Sequence, residues 1–260
     1  MGSAQSYPPG TPVWVNLQTA AGHLAASRFY CALFGWTVLA RHRPLDDATG
    51  WWVFRLGGKD VGDIGPGPKP SWTMNISVDD ADATARAVVD RGGGVSLWPT
   101  SYFGAGRMAI CTDPLGARFA IWESAGHVSP DVMHEPGSFT WCELTCRDVD
   151  VAKQFYAAVF GWESKSPPYL EGSGYTVFFL PGVEPRPVAG MVQMDELWPQ
   201  DTPPHWMIYF AVADTELTAA RATELGGSVS VEPFDLFNVG RVAVLNDPEG
   251  ASFSIVHWSE

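Results

Sequence analysis

The second half of this chain repeats the first. Residues 13–36 read VWVNLQTAAGHLAASRFYCALFGW, and residues 140–162 read TWCELTCRDVDVAKQFYAAVFGW. The pairs Phe29-Tyr30 and Phe34-Gly35-Trp36 return 126 residues later as Phe155-Tyr156 and Phe160-Gly161-Trp162. Gly106-Arg107 and the run Asp113-Pro114-x-Gly116-Ala117-x-Phe119-x-Ile121 return 134 residues later, as Gly240-Arg241 and Asp247-Pro248-x-Gly250-Ala251-x-Phe253-x-Ile255. Ordered self-similarity of this kind means duplicated structural units. The 260 residues therefore divide into homologous domains at 11–124 and 138–260, joined by a linker at 125–137.

Within each repeat the element order also runs twice. Alternating residues at 14–19 predict a strand, 24–34 a helix that stops at Gly35, and 36–40, 51–56 and 60–64 short strands. The order restarts with a strand at 71–78, a helix at 80–91 ended by glycines, and strands near 95–98, 107–112 and 117–123. Asp79 or Asp80, and Asp214 or Thr215, are N-cap candidates. Each half-domain is thus β-α-β-β-β, an α+β arrangement.

Composition excludes several function classes. The chain is 46% hydrophobic and 17% charged, which suits a packed core and not a disordered segment. Its formal net charge of -13, with no local Lys/Arg cluster, opposes binding to nucleic acid or anionic membranes. No apolar run reaches the roughly 18 residues of a membrane span. The start, MGSAQSYPPGTP, lacks the basic and apolar regions of a signal peptide, so a cytoplasmic location is expected. Cys142 and Cys146 would sit about 13 Å apart on one strand at about 3.3 Å per residue, too far for a disulfide. All four cysteines are expected to be free thiols.

The strand–helix block with its FY and FGW motifs and the D-P-x-G-A-x-F-x-I strand resemble the vicinal oxygen chelate superfamily, which holds glyoxalases, bleomycin-resistance proteins and extradiol dioxygenases. The chain is most similar to two-domain actinobacterial glyoxalase-like proteins, some labelled hydroxylases and tied to antibiotic biosynthesis or resistance. The resemblance implies two tandem glyoxalase-fold domains, with curved mixed sheets, helices on the convex face and a ligand in the concave cup. It implies little about the reaction, since one fold hosts many chemistries.

On that fold, strand parity assigns faces. Trp14, Asn16 and Gln18 face the cup in the first domain, with Asn75 on its fifth strand. Trp141 and Glu143 face it in the second, with His205, Met207 and Tyr209. Metal-using relatives place His, Glu or Gln at positions that match Trp14, Trp141, Ala120 and Ser254, and none of these is a good divalent ligand. No cofactor is therefore expected, with a divalent metal as the lesser alternative. Trp51 (or Trp52), Met191, Phe103 and Phe237 complete an expected wall for a planar aromatic ligand. Glu143, whose counterpart in the first repeat is Asn16, is the expected catalytic base, with His205 and Tyr209 as catalytic partners. A salt bridge from Glu143 to Arg107 or Arg241 is the structural alternative. Three functions stay open: a metal-independent enzyme or enzyme accessory acting on an aromatic metabolite, a non-catalytic binder that sequesters one, and a metal-dependent glyoxalase or dioxygenase. A monomer suffices for the cup, and a homodimer is also compatible.

Overall fold

The computed structural model of the chain describes residues 7–20, 22–40, 50–102, 104–126, 132–166, 174–182, 186–236 and 239–259. The first repeat runs β1 (Pro12–Thr19), α1 (His23–Phe34), β2 (Thr37–Ala40), β3 (Trp52–Leu56), β4 (Lys59–Pro66), β5 (Ser71–Ser77), α2 (Ala81–Asp90), β6 (Gly94–Tyr102), β7 (Gly106–Thr112) and β8 (Arg118–Ser124). The second runs β9 (Phe139–Cys146), α3 (Val149–Phe160), β10 (Glu163–Lys165), β11 (Tyr175–Leu180), β12 (Arg186–Gln193), β13 (His205–Ala211), α4 (Thr215–Glu224), β14 (Ser228–Leu236), β15 (Gly240–Asn246) and β16 (Ser252–Trp258). Among the described residues the strands form two eight-stranded mixed sheets of matching order, β2-β3-β4-β1-β5-β8-β7-β6 and β10-β11-β12-β9-β13-β16-β15-β14.

Local chemistry sets the helix limits. Asp80, Asp148 and Asp214 cap α2, α3 and α4, each accepting a backbone N–H of the first turn. Gly35 and Gly161 end α1 and α3 in the left-handed conformation, both at φ 71°, which a side chain would oppose. None of the described helices is long and apolar enough to cross a membrane.

Residue contacts divide the chain into two compact units, and each unit draws on both repeats. The first comprises residues 1–13, 74–129 and 141–206; the second comprises 14–73, 130–140 and 207–260. In the first unit Tyr156 of α3 is fully buried, and its hydroxyl sits between Trp206 Nε1, which donates to it at 2.8 Å, and Asp113 Oδ2, which accepts from it at 3.1 Å. In the second, Trp72 Nε1 donates to the buried Tyr30 hydroxyl at 2.9 Å, which donates to Asp247 Oδ2 at 3.0 Å. The tyrosine of each FY motif is thus satisfied by the D-P-x-G turn of the other repeat.

The FGW tryptophans behave in the same reciprocal way. Trp162 Nε1 donates to the Gly10 carbonyl at 2.8 Å in the first unit, and Trp36 Nε1 to the Gly137 carbonyl at 2.7 Å in the second. Around these polar relays each unit packs an aromatic core. Tyr156 stacks on Trp162 and meets Phe178 and Phe119, while Tyr30 meets Trp36, Phe54 and Phe253. Aromatic pairs of this geometry add about 0.5–1.5 kcal/mol each beyond their area burial.

The four cysteines are free thiols, and Cys111, Cys142 and Cys146 are buried. Burial pushes the thiols of Cys111 and Cys146 up to about 12, so neither carries a thiolate at neutral pH.

Candidate functional site

In the second repeat, Cys142, Leu144 and Cys146 of β9 are wholly buried on the core side, which turns Trp141, Glu143 and Thr145 to the opposite face. β12 runs parallel to β9 with Gly190 opposite Glu143 and Met191 opposite Leu144. β11 is antiparallel to β12, with Val177 opposite Gly190 and Tyr175 opposite Val192. Register therefore brings Trp141, Glu143, Gly190 and Tyr175 onto one face. Trp141 Nε1 donates to the Tyr175 hydroxyl at 3.2 Å, and that hydroxyl donates in turn to the Glu143 carboxylate. Burial and the nearby Glu143 charge hold the Tyr175 phenol far above its ordinary range, so it stays protonated. Glu143 itself is only 9% exposed.

Gly190 makes the relay possible. A Cβ at this position would lie 2.0 Å from the Tyr175 hydroxyl oxygen and 3.0 Å from Trp141 Nε1. Gly190→Ala is expected to destabilise the fold by about 1–3 kcal/mol through overpacking. In thermal unfolding, the double variant Gly190→Ala/Tyr175→Ala should lose at least about 1 kcal/mol less than the sum of the two single changes.

The first repeat holds a different set of groups in the same register. β1 and β4 are parallel with Asn16 opposite Asp63, and Val53 of β3 also lies opposite Asp63. The Asn16 amide donates to the Asp63 carboxylate, and both side chains are buried. Trp51 takes the place of Tyr175 and lies flat against Gly65, where an added Cβ would stand 2.3 Å from the indole. The carboxylate has thus crossed from the inner strand of one pair to the outer strand of the other. Among the described residues, of the two repeats only the second carries a Trp–Tyr–carboxylate relay on this face.

Other expected site residues fall as follows. Trp14 and Gln18 are buried on β1 in the second unit, and Gly67 stands where a Cβ would strike the Gln18 side chain. Asn75 is buried opposite Ala120. Tyr209 is opposite Ser254 and belongs to the second unit with the half-buried Met207. His205 belongs to the first unit, where Nδ1 meets the Pro203 carbonyl at 2.9 Å, a local contact at the strand start. Phe103 and Phe237 lie outside the described residues. Met191 corrects the expectation placed on it: it is wholly buried and shares the core face with Leu144, because Gly190 is the residue aligned with Glu143. Of the two tryptophans proposed for the wall, Trp52 turns to the helix side, where its ring stacks on His23 with centroids 4.0 Å apart.

The arginines are engaged elsewhere. Arg107 bonds Asp82 at 2.6 Å and lies 3.7 Å from Glu123, whose carboxylate also caps the Ala81 N–H at 2.8 Å. Arg241 bonds Glu216 and, at 3.0 Å, Asp235. His257 meets the Val212 carbonyl at 3.1 Å. The Gly-Arg motif of both repeats therefore serves the sheet rim.

A glyoxalase-like family profile matches residues 14–122 and again 141–256. The chain belongs to the glyoxalase-like domain family. It is 38% identical over 264 residues to CFP32 of Mycobacterium tuberculosis, a provisionally assigned glyoxylase, covering 98% of each chain. It is 36% identical over 273 residues to the anthracycline biosynthesis protein DnrV of Streptomyces peucetius, covering 98% of this chain and 95% of that one. Among solved structures, the Mn(II)-bound glyoxalase of Novosphingobium aromaticivorans superposes with a TM-score of 0.63 at 14% identity, over 96% of this chain and 82% of that one. The 2,2',3-trihydroxybiphenyl 1,2-dioxygenase of Sphingomonas wittichii also gives 0.63 at 14% identity, over 96% and 91%. These two likenesses establish the shared glyoxalase fold.

Of the proteins that share that fold, the Novosphingobium glyoxalase holds Mn(II). The positions that the resemblance assigns to metal ligands carry the indoles of Trp14 and Trp141, the methyl of Ala120 and the hydroxyl of Ser254, which do not fit a divalent cation. Among the described residues no group of three or more His, Cys, Asp or Glu side chains is arranged to hold one.

Proposed function

We propose that this protein binds an oxygenated aromatic metabolite and acts on it without a metal ion, with Glu143 as general base. The observation that supports this reading is the Trp141–Tyr175–Glu143 relay, a buried carboxylate fixed by a protonated phenol on the sheet face away from the core. A carboxylate held this way can take a proton from a phenol or from a carbon acid beside a carbonyl. Returning that proton to another atom of the same ligand completes an isomerisation without oxidant or reductant. Hydroxylation would require an oxidant, and in that case the protein would serve as an accessory presenting the substrate. The naming of DnrV for anthracycline biosynthesis points to a planar polycyclic ligand.

A non-catalytic binder is the second reading. It is favoured by the same hydrogen bond, since a carboxylate pinned by Tyr175 is also a fixed acceptor for a ligand hydroxyl. In either reading a monomer suffices and the working location is the cytoplasm.

The chain carries 12 tryptophans, so ligand entry can be read by fluorescence. Titration with 1,4-dihydroxyanthraquinone is expected to give saturable quenching, with about one equivalent of ligand or two at the endpoint and less than stoichiometric transition metal in protein purified without added metal. An absence of quenching would remove the ligand class. A stoichiometric metal whose removal abolishes binding would replace this reading with metal-dependent chemistry.

A further inference from the structure

In the second compact unit, strands β13, β16 and β15 show the two-faced pattern in full register. Phe210 lies opposite Ile255, and Ala243 also lies opposite Ile255, on the aromatic core side. Tyr209 and Val244 both lie opposite Ser254, on the other side. Ser254 is 0% exposed, and its hydroxyl has no hydrogen-bond partner among the described residues. The other two such atoms, Ser27 Oγ and Trp52 Nε1, belong to α1 and to the helix side of β3. Ser254 alone of the three sits on the face turned from the core.

The first repeat shows that this hydroxyl is not needed for packing. The equivalent residue is Ala120, flanked in register by Asn75 and Ile110 and just as buried at 1%. A methyl fills that place at no polar cost. An unmade hydrogen bond in the same place lowers stability, so a serine there calls for a partner that the folded chain alone does not provide. We propose that Ser254 is a ligand-contacting residue, its hydroxyl bonding a carbonyl or hydroxyl oxygen of an oxygenated planar aromatic, with the Tyr209 ring as the neighbouring wall. A serine hydroxyl can donate to a quinone-type carbonyl or accept from a phenol, and its register neighbours Tyr209 and Val244 share that face. This assignment rests on the ligand class proposed above and gives that class a specificity-determining contact within the second compact unit.

The test is Ser254→Ala, read by two measurements. Thermal unfolding of the unliganded protein should show a Tm unchanged or raised, because an unsatisfied group has been removed. Affinity for 1,4-dihydroxyanthraquinone should fall about tenfold, the size of one lost hydrogen bond, while a planar hydrocarbon probe that carries no oxygen, such as anthracene, should bind the variant and the parent alike. A lowered Tm would overturn the proposal by showing that the hydroxyl is satisfied within the folded chain. Unchanged affinity for the dihydroxyanthraquinone would overturn it while leaving the ligand class intact. If the parent protein itself fails to bind the dihydroxyanthraquinone, the ligand class and this assignment fall together.

Discussion

Asp113→Ala is expected to cost about 3 kcal/mol of stability, the effect of removing a buried acceptor on which several donors converge. The Asp113 carboxylate accepts the Tyr156 hydroxyl at 3.1 Å through Oδ2 and the N–H groups of Leu115 and Ala117, both at 2.9 Å, through Oδ1. Its loss leaves a phenol that is buried without an acceptor. Asp247→Ala should do the same in the second unit, where Tyr30, Glu249 and Ala251 supply the donors. The two changes lie in separate units and should add, to about 6 kcal/mol, against a usual total of about 5–15 kcal/mol for a folded protein. Urea unfolding of the single and double variants measures this, and additive losses below about 1 kcal/mol each would show the relays to be incidental.

The same residues give a pH dependence with a definite sign. Burial raises the Asp113 carboxyl, and the N–H groups of the turn and the Tyr156 hydroxyl pull it back only in part. Asp247 is raised for the same reason. A folded-state value above the unfolded one means the native protein binds the proton more tightly, so the cost of holding the charge is full above the folded value and fades as pH falls toward the ordinary aspartate range of about 4. The stability gap between parent and Asp113→Ala should therefore widen on acidification from neutral pH. A gap that narrows would contradict it.

Glu143→Gln should lower turnover by about 10²–10⁴-fold, the usual contribution of a positioned base, while ligand affinity stays within about threefold. Glutamine keeps the shape and an acceptor for the Tyr175 hydroxyl but cannot take a proton. Tyr175→Phe should reduce turnover less than Glu143→Gln, because the carboxylate keeps its proton-accepting oxygens but loses the hydroxyl that fixes them. Product analysis with an enolisable hydroxyquinone is the assay. Retained turnover in Glu143→Gln would sink the general-base role, and joint loss of affinity would favour the binder.

Much of this is legible in the sequence. The duplicated FY, FGW and D-P-x-G motifs identify the repeats, and alternation around Cys142, Leu144 and Cys146 places Glu143 on the outward face. The partners of those motifs were not legible. Aligning two repeats shows that Tyr156 is equivalent to Tyr30, yet equivalence does not say that Tyr156 bonds Asp113 of the other repeat. Tyr175 carries no mark of its role in the sequence, since it opens an apolar strand 34 residues from Trp141 and reads as ordinary packing. The available signal was Gly190, a glycine inside a strand pattern, which marks a place where another group approaches closely. Met191 lies on the core side for the related reason that its face depends on the β9–β12 register, which no local pattern reveals.

The reciprocal bonding of the repeats also dictates an order of assembly during synthesis. Tyr30 is separated from its partner Asp247 by 217 positions, and Trp162 from Gly10 by 152. Such separations slow folding, because long loops must close before the contact rewards them. As the chain emerges from the ribosome, the first unit can complete its core once residue 206 is available, whereas Tyr30, made early, must wait for the penultimate strand. Until then Tyr30 of α1, with Trp36 and Phe54 packed around it, lacks the Asp247 and Phe253 that complete its core, which makes the nascent chain, rather than the finished protein, the form most exposed to aggregation and most dependent on chaperones.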